Sequence, residues 1–235
     1  MFPQDLRGYR VIDISHTVVP GEEVGRPFAV QKALLQDQTF RYDILRTHSH
    51  VGSHVEVGAH YYEGGKSITD YPLERFYGPG VLWSLTEMEG TRKACERALG
   101  SLMHEGDVVV IRNDTGVTVT KRDLYLGKID SMPLLRPEAA EWLVSRKVRM
   151  LVLDYIRLGK TLEENWEFHD IILGNDAVLV EIVANLDQIA SSRFFVMALP
   201  YRVKGLDSSF CRPVVIEPTD AENSKDEVAF QAGTE

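Results

Sequence analysis

Four of the seven histidines fall within thirteen residues: His48, His50, His54 and His60. The segment reads His50-Val51-Gly52-Ser53-His54-Val55-Glu56-Val57-Gly58-Ala59-His60. His50, His54, Glu56 and His60 share one parity, so in an extended chain their side chains fall on the same side. A helix aligns His50 with His54 but swings Glu56 and His60 away. Val51, Val55 and Val57 are β-branched, and Gly52 and Gly58 disfavour a helix. The segment is therefore expected on a strand or a strand and turn. Imidazole and carboxylate groups converging on one point are the donors that a divalent transition metal takes. The spacing predicts metal binding rather than a scatter of unrelated histidines. His48 shares the parity but reads equally as a supporting or surface group, and it is not counted among the ligands.

The elements that must position this cluster come from a chain of 235 residues, a length for one domain. Hydrophobic residues make up 44% and charged residues 26%, enough to build a sizeable core. The net charge of −9 argues against nucleic acid or an anionic membrane as the main partner, because both call for clustered Lys and Arg. The opening Met1 to Arg7 has no apolar stretch of the secretory kind. The late apolar run Phe194 to Leu199 is far too short to span a bilayer. Two cysteines, Cys95 and Cys211, make no disulfide framework, and Cys95 has no motif histidine near it to activate a nucleophile. A soluble cytoplasmic protein is expected.

Short β-type runs dominate the pattern. Tyr9 to Ile14, Gly80 to Leu85, Asp107 to Ile111, Val148 to Asp154, Ala177 to Val180 and Phe194 to Leu199 read as strands. The one clear helical pattern runs from Arg136 to Arg146, with Pro137 in its first turn and Glu138 beside it. The expected fold is α/β, a single domain with a mixed β-sheet flanked by helices. That domain is assigned to residues 1–216. From Glu217 to Glu235 six acids face a single Lys225, so 217–235 is expected to be an acidic surface tail. No Gly-x-Gly-x-x-Gly and no Walker loop is present, which leaves nucleotide folds without motif support.

The histidine segment resembles the His-x-Gly-Thr-His-x-Asp-x-Pro-x-His motif of the cyclase family, metal-dependent hydrolases that include bacterial kynurenine formamidase and isatin hydrolase. The likeness extends from about Val11 to Val215. Asp13-Ile14-Ser15-His16 with Pro20-Gly21 resembles the opening strand and loop, and Gly78-Pro79-Gly80-Val81 the Gly-Pro turn into a strand. Pro137 to Leu143 with Leu151 to Asp154 is similar to the next helix–strand pair. A second motif appears as His169-Asp170-Ile171-Ile172-Leu173 and Glu181-Ile182-Val183-Ala184-Asn185-Leu186. Leu199-Pro200, Gly205, Asp207-Ser208-Ser209 and Arg212-Pro213 resemble the closing segment.

By this resemblance His50, His54 and Glu56 are metal ligands, His60 is the catalytic proton carrier, and His169 and Glu181 complete the metal site of two-metal members. It implies a swivelling β/α/β fold and one or two Zn²⁺ or Mn²⁺ ions. It also implies a small-molecule substrate and a homodimer or homotetramer, with the Pro20-Gly21 loop or the acidic tail near a partner's cleft. The implied reaction is hydrolysis of the carbon–nitrogen bond of an amide, formamide or cyclic amide. The metal lowers the pKa of its water from about 15.7 towards about 7, and His60 passes the proton to the leaving nitrogen. Ring closure, dehydration or lactone hydrolysis on the same site, or a metal-binding module without turnover, are the alternatives. The chain departs from the motifs where Ser53 replaces Thr, Glu56 replaces Asp and Gly58 replaces Pro. It departs again at Tyr155-Ile156-Arg157-Leu158 and at Ser208-Ser209-Phe210.

Other residues read more plainly. Glu181 lies inside the apolar run Ala177 to Val183, and a buried carboxylate needs a partner, of which a cation is a natural one. His16 reads as a structural strand-end residue and His104 as an exposed turn. Tyr61, Tyr62, Trp166 and Phe168 read as pocket wall or core.

Overall fold

The computed structural model describes residues 7–22, 25–37, 39–120, 122–123, 126–127 and 130–219. Its elements in chain order are β1 (Tyr9–Asp13), β2 (Phe28–Leu34), β3 (Phe40–Thr47), β4 (His54–Glu56), β5 (Tyr77–Leu85), β6 (Glu89–Gly90), α1 (Arg92–Leu99), β7 (Val108–Asn113), β8 (Leu134–Leu135), α2 (Pro137–Ser145), β9 (Met150–Leu153), β10 (Arg157–Leu158), α3 (Leu162–Gly174), β11 (Val178–Glu181), β12 (Arg193–Met197), β13 (Ser208–Phe210) and β14 (Val214–Pro218).

The continuous apolar runs Val108-Val109-Val110-Ile111 and Met150-Leu151-Val152-Leu153 are buried on both faces, as the interior strands of a parallel sheet must be. Among the described residues nine strands make one mixed sheet in the order β1-β14-β12-β5-β7-β9-β11-β4-β13. The centre, β5-β7-β9-β11, is parallel, and α1, α2 and α3 lie on the three connections between those strands. The flanking strands β12 and β4 run antiparallel to it.

Alternate residues feed two cores. Val81, Trp83, Val109, Ile111, Leu151 and Leu179 face the helices, where Cys95, Leu99, Leu143 and Phe168 close the layer. Val108, Val110, Met150, Val152, Val178, Val180 and Val55 face the other way, against Ile68, Phe76, Val196 and Val215. The fold is the expected single α/β domain with a mixed sheet and helices. Among the described residues no helix is long and apolar enough to cross a membrane.

Two expectations need correction. Two helices join the single expected one. In α1 half of the run Arg92 to Leu99 is charged, but Thr91 caps it by accepting from the Ala94 N–H. In α3 the apolar stripe of Phe168, Ile172 and Leu173 is interrupted by the buried His169, which masks the helical period. The histidine segment is the expected strand and turn, extended over His54–Glu56. The domain boundary after residue 216 falls inside β14, whose Glu217 is buried and paired with Arg10 of β1. Residues 220–235 of the expected tail lie outside the described residues.

Candidate metal centre and active-site pocket

The register of three strands places the acidic and imidazole groups. Glu181 of β11 pairs with His54 of β4, and Leu179 pairs with Glu56, so His54, Glu56 and Glu181 share the helical face of the sheet. Glu181 ends its parallel strand, and the site lies beyond the carboxyl ends of β9 and β11, where open α/β sheets bind ligands. The fourth group, His169, arrives from α3 above that face and is buried.

His50 and His60 reach the same point by turns rather than by strand parity. Gly52 has φ +59°, and a Cβ there would stand 2.4 Å from Val18 Cγ2, so only glycine serves. That turn brings His50 back over β4. After β4 the chain enters a 3₁₀ turn, Gly58–His60, which swings His60 to the pocket mouth. Ser53 locks the segment: its Oγ accepts from the His16 N–H at 2.8 Å and donates to Ile182 O at 2.6 Å. Ile182 has φ +59°, a strained conformation for a β-branched residue, directly after Glu181. The motif hydroxyl thus holds a sharp bend that ends β11 at the carboxylate.

Glu56 is the hub. Its Oε1 stands 2.6 Å from His50 Nδ1, 3.2 Å from His54 Nε2 and 3.9 Å from His60 Nε2. Its Oε2 stands 3.8 Å from His169 Nε2, is fully buried, and has no hydrogen-bond partner. His54 Nε2 is 3.8 Å from Glu181 Oε2. Two of the rings are fixed in one tautomer. His54 Nδ1 donates to Gly52 O at 2.8 Å and His169 Nδ1 donates to Asn165 O at 2.7 Å, because a carbonyl only accepts. When neutral, both rings therefore turn an Nε2 lone pair towards carboxylate oxygens, and a cation is what reconciles such a set.

The carboxylates are pulled apart electrostatically. Burial pushes Glu56 up, but hydrogen bonds from His50 and His54 and the nearby ring charges more than offset it, leaving its pKa well below the usual range. Glu181 is raised, by burial first and by the charge of Glu56 second. His50 is raised: burial lowers it, but contacts with Glu56 and Asp207 prevail.

Sequence reading missed the role of Asp207. Its Oδ2 stands 2.9 Å from His50 Nε2 and 3.2 Å from His60 Nδ1, and these contacts outweigh burial to bring its pKa down to about 2. The only signal was its place in the closing segment. Arg26 was missed as well; its guanidinium donates to His50 O at 2.6 Å. His48 Nδ1 accepts from the His50 N–H, at the pocket wall. His16 and His104 lie where expected, the first with its ring edge against Tyr155, the second exposed. Tyr61 stacks on His169, with centroids 5.9 Å apart and planes 9° apart, whereas Phe168 is core and Trp166 is exposed.

All six expected site residues meet in this region, and five of them, with His54 buried behind, line a cavity of about 630 Å³. Its far wall is Ile156, Leu158 and Leu162 with Arg157 and Asn165, so the segment that departs from the family motif after Asp154 shapes the pocket.

Fold and site together define an α/β protein with a histidine–carboxylate cluster, of a kind suited to a divalent metal, at the floor of a cavity. The model of the putative cyclase family matches residues 12–160, and the chain belongs to that family, a family of enzymes. The match takes in His50, His54, Glu56 and His60 and stops before His169, Glu181 and Asp207. The chain is similar to kynurenine formamidase of Bordetella petrii, 26% identical over 74% of this chain and 79% of the relative. It is 23% identical to that of Erythrobacter litoralis over 90% of this chain and 96% of the relative. Its fold matches isatin hydrolase A from Labrenzia aggregata with a TM-score of 0.73 at 21% identity, over 90% of this chain and 95% of the other.

Proposed function

We propose that this chain is a metal-dependent hydrolase that breaks the carbon–nitrogen bond of an amide, a formamide or a cyclic amide. The observation that carries the reading is Glu56, a buried carboxylate with one unpartnered oxygen, ringed by imidazoles, two of which, His54 and His169, are in tautomers that expose Nε2. These residues fit a divalent cation, and His50, His54, Glu56, His169 and Glu181 would hold it. Glu56 belongs to two close-set donor groups, one with His50 and His54 and one with His60 and His169. These two groups would offer donors for one ion or for two. The imidazoles favour zinc, and the two carboxylates suit manganese. A divalent ion supplies an acidified water and a polarised carbonyl in such a site.

The rest of the reaction falls to the chain. His60 is the proton carrier: Asp207 holds its Nδ1–H, and its Nε2 faces the cluster from the pocket side. It takes a proton from the attacking water and delivers one to the leaving nitrogen. Ile156, Leu158 and Leu162 offer an apolar wall to a small organic substrate. The names of the relatives, a formamidase and an isatin hydrolase, support the same bond class. A cytoplasmic enzyme is part of this reading, supported by two free cysteines.

A panel of N-formyl aromatic amines, lactams and lactones, offered to metal-replete protein, tests the proposal. Chelator-sensitive turnover of the formyl amines or lactams is expected. Turnover of lactones alone, or none across the panel, would overturn it.

A further inference from the structure

The cavity over the cluster is charged unevenly. Its acids are Glu56, Asp154 and Glu181, and its arginines are Arg26 and Arg157. Glu56 and Glu181 face the ion that the site would hold. Asp154 turns its Oδ1 to the Tyr155 N–H at 2.8 Å, and its pKa is raised, by burial first. Arg26 belongs to the cluster side: it donates to His50 O at 2.6 Å, and its charge acts on Glu181. Arg157 belongs to the far wall, in β10, between the buried Ile156 and Leu158.

The wall that carries Arg157 is fixed. Its N–H donates to Pro133 O at 2.9 Å, and β10 runs parallel to β8 with Arg157 opposite Leu134. Its Nη2 donates to Lys160 O at 2.6 Å, which orients the guanidinium but brings no counter-charge. Asp130 lies 4.0 Å from Nη1 on a fully exposed side chain, where water screens the pair. The Arg157 side chain itself is only 13% exposed. Taking a guanidinium that far out of water strengthens its pull on any anion that enters the cavity. Its planar fork of N–H donors matches the edge of a carboxylate.

We propose that the substrate is an aryl amide with a carboxylate on its ring, and that Arg157 receives this carboxylate. The ring then lies along Ile156, Leu158 and Leu162, with the amide over the cluster. This names the substrate class of the hydrolase reading above and rests on it. A cavity of about 630 Å³ accommodates one ring with two short substituents. Arg157 stands in the segment where the chain departs from the family motif, so the preference is assigned to this chain and not to its relatives.

Two compounds of one shape separate charge from fit: 4-formamidobenzoate and its neutral counterpart 4-nitroformanilide. Arg157→Met keeps the bulk of the stem and removes the charge. In metal-replete protein it is expected to cut the benzoate-over-nitro ratio of kcat/KM about 10–100-fold, through KM, the range of one charge-assisted hydrogen bond. Arg157→Lys should return part of the loss. Comparing one ratio across proteins cancels the different leaving groups. Metal-free protein supplies a readout without turnover. There calorimetry should show wild type binding the benzoate at least about 10-fold more tightly than the nitro compound, a comparison that needs no variant to fold. If neither compound is turned over, the hydrolase reading fails, while the binding preference still decides the anion site. Equal binding of the two compounds by metal-free wild type would overturn the proposal. So would an Arg157→Met variant that keeps the wild-type ratio, the result expected if the carboxylate went to the metal.

Discussion

Glu56 and His169 are separated by 113 positions in the sequence, yet His169 Nε2 stands 3.8 Å from a Glu56 oxygen that no hydrogen bond satisfies. One comes from a strand that inserts between β11 and β13, the other from a helix laid across the same face. Burying a carboxylate oxygen without a partner costs several kcal/mol, so the fold has arranged this pair around something positive.

The roles of His60 and His169 separate by experiment. His169→Ala removes a candidate ligand and is expected to weaken metal affinity by more than the 10–100-fold typical of a supporting group. His60→Ala is expected to keep the metal and lower turnover by about 10²–10⁴-fold. Metal titration with single-turnover rates on both variants reads the difference. Loss of metal from His60→Ala would make His60 a ligand and leave the proton carrier unassigned.

Asp207 is expected to act through His60 and His50 rather than on substrate. Asp207→Asn keeps the shape but replaces one acceptor oxygen by a donor, so the His60 ring loses its fixed tautomer. Turnover should fall about 10–100-fold with metal content retained and KM little changed. Unchanged turnover would remove Asp207 from the machinery.

Far from the pocket, Glu217 sets an acid limit on stability. Its buried carboxylate accepts from the Ser191 N–H at 2.8 Å, the Ala190 N–H at 3.2 Å and Arg10 Nε at 2.7 Å. Burial raises its pKa, but these donors prevail and the folded value lies below the usual one. A depressed folded pKa means the stabilisation is complete above the unfolded value near about 4.3 and is lost as pH falls through the folded value. Glu217→Gln should cost about 1.5–3 kcal/mol at pH 7. Melting temperatures of the two proteins should converge as the pH drops below about 4. A gap that stays constant from neutral to acid pH would contradict the assignment.

Much of this was legible in the sequence where a local signal existed. The runs at 108–111 and 150–153 announced interior strands, and Pro137 with Glu138 announced α2. The cluster from His50 to His60 was found by parity, but parity explains only His54 and Glu56. His50 and His60 are delivered by the left-handed turn at Gly52 and the 3₁₀ turn at Gly58, which an alternation rule does not describe. Asp207 was invisible as a partner because its position depends on β13 pairing with β4, a contact between segments some 150 residues apart. Helix α3 was masked by His169 itself, a polar residue placed where the apolar stripe wanted a hydrophobe. Glu217 read as one more acid of a polar tail, since a single buried carboxylate carries no pattern.

The central claim is that Glu56 exists to hold a divalent ion, and the metal content of wild type and Glu56→Gln, purified without chelator, tests it most directly. The substitution keeps size and shape while removing the charge. Wild-type protein is expected to carry one or two equivalents of zinc or manganese by elemental analysis, and Glu56→Gln to carry little while still folding. Wild-type protein that carries no divalent metal after growth and dialysis with both metals would contradict the account, as would a Glu56→Gln variant that binds as much as wild type.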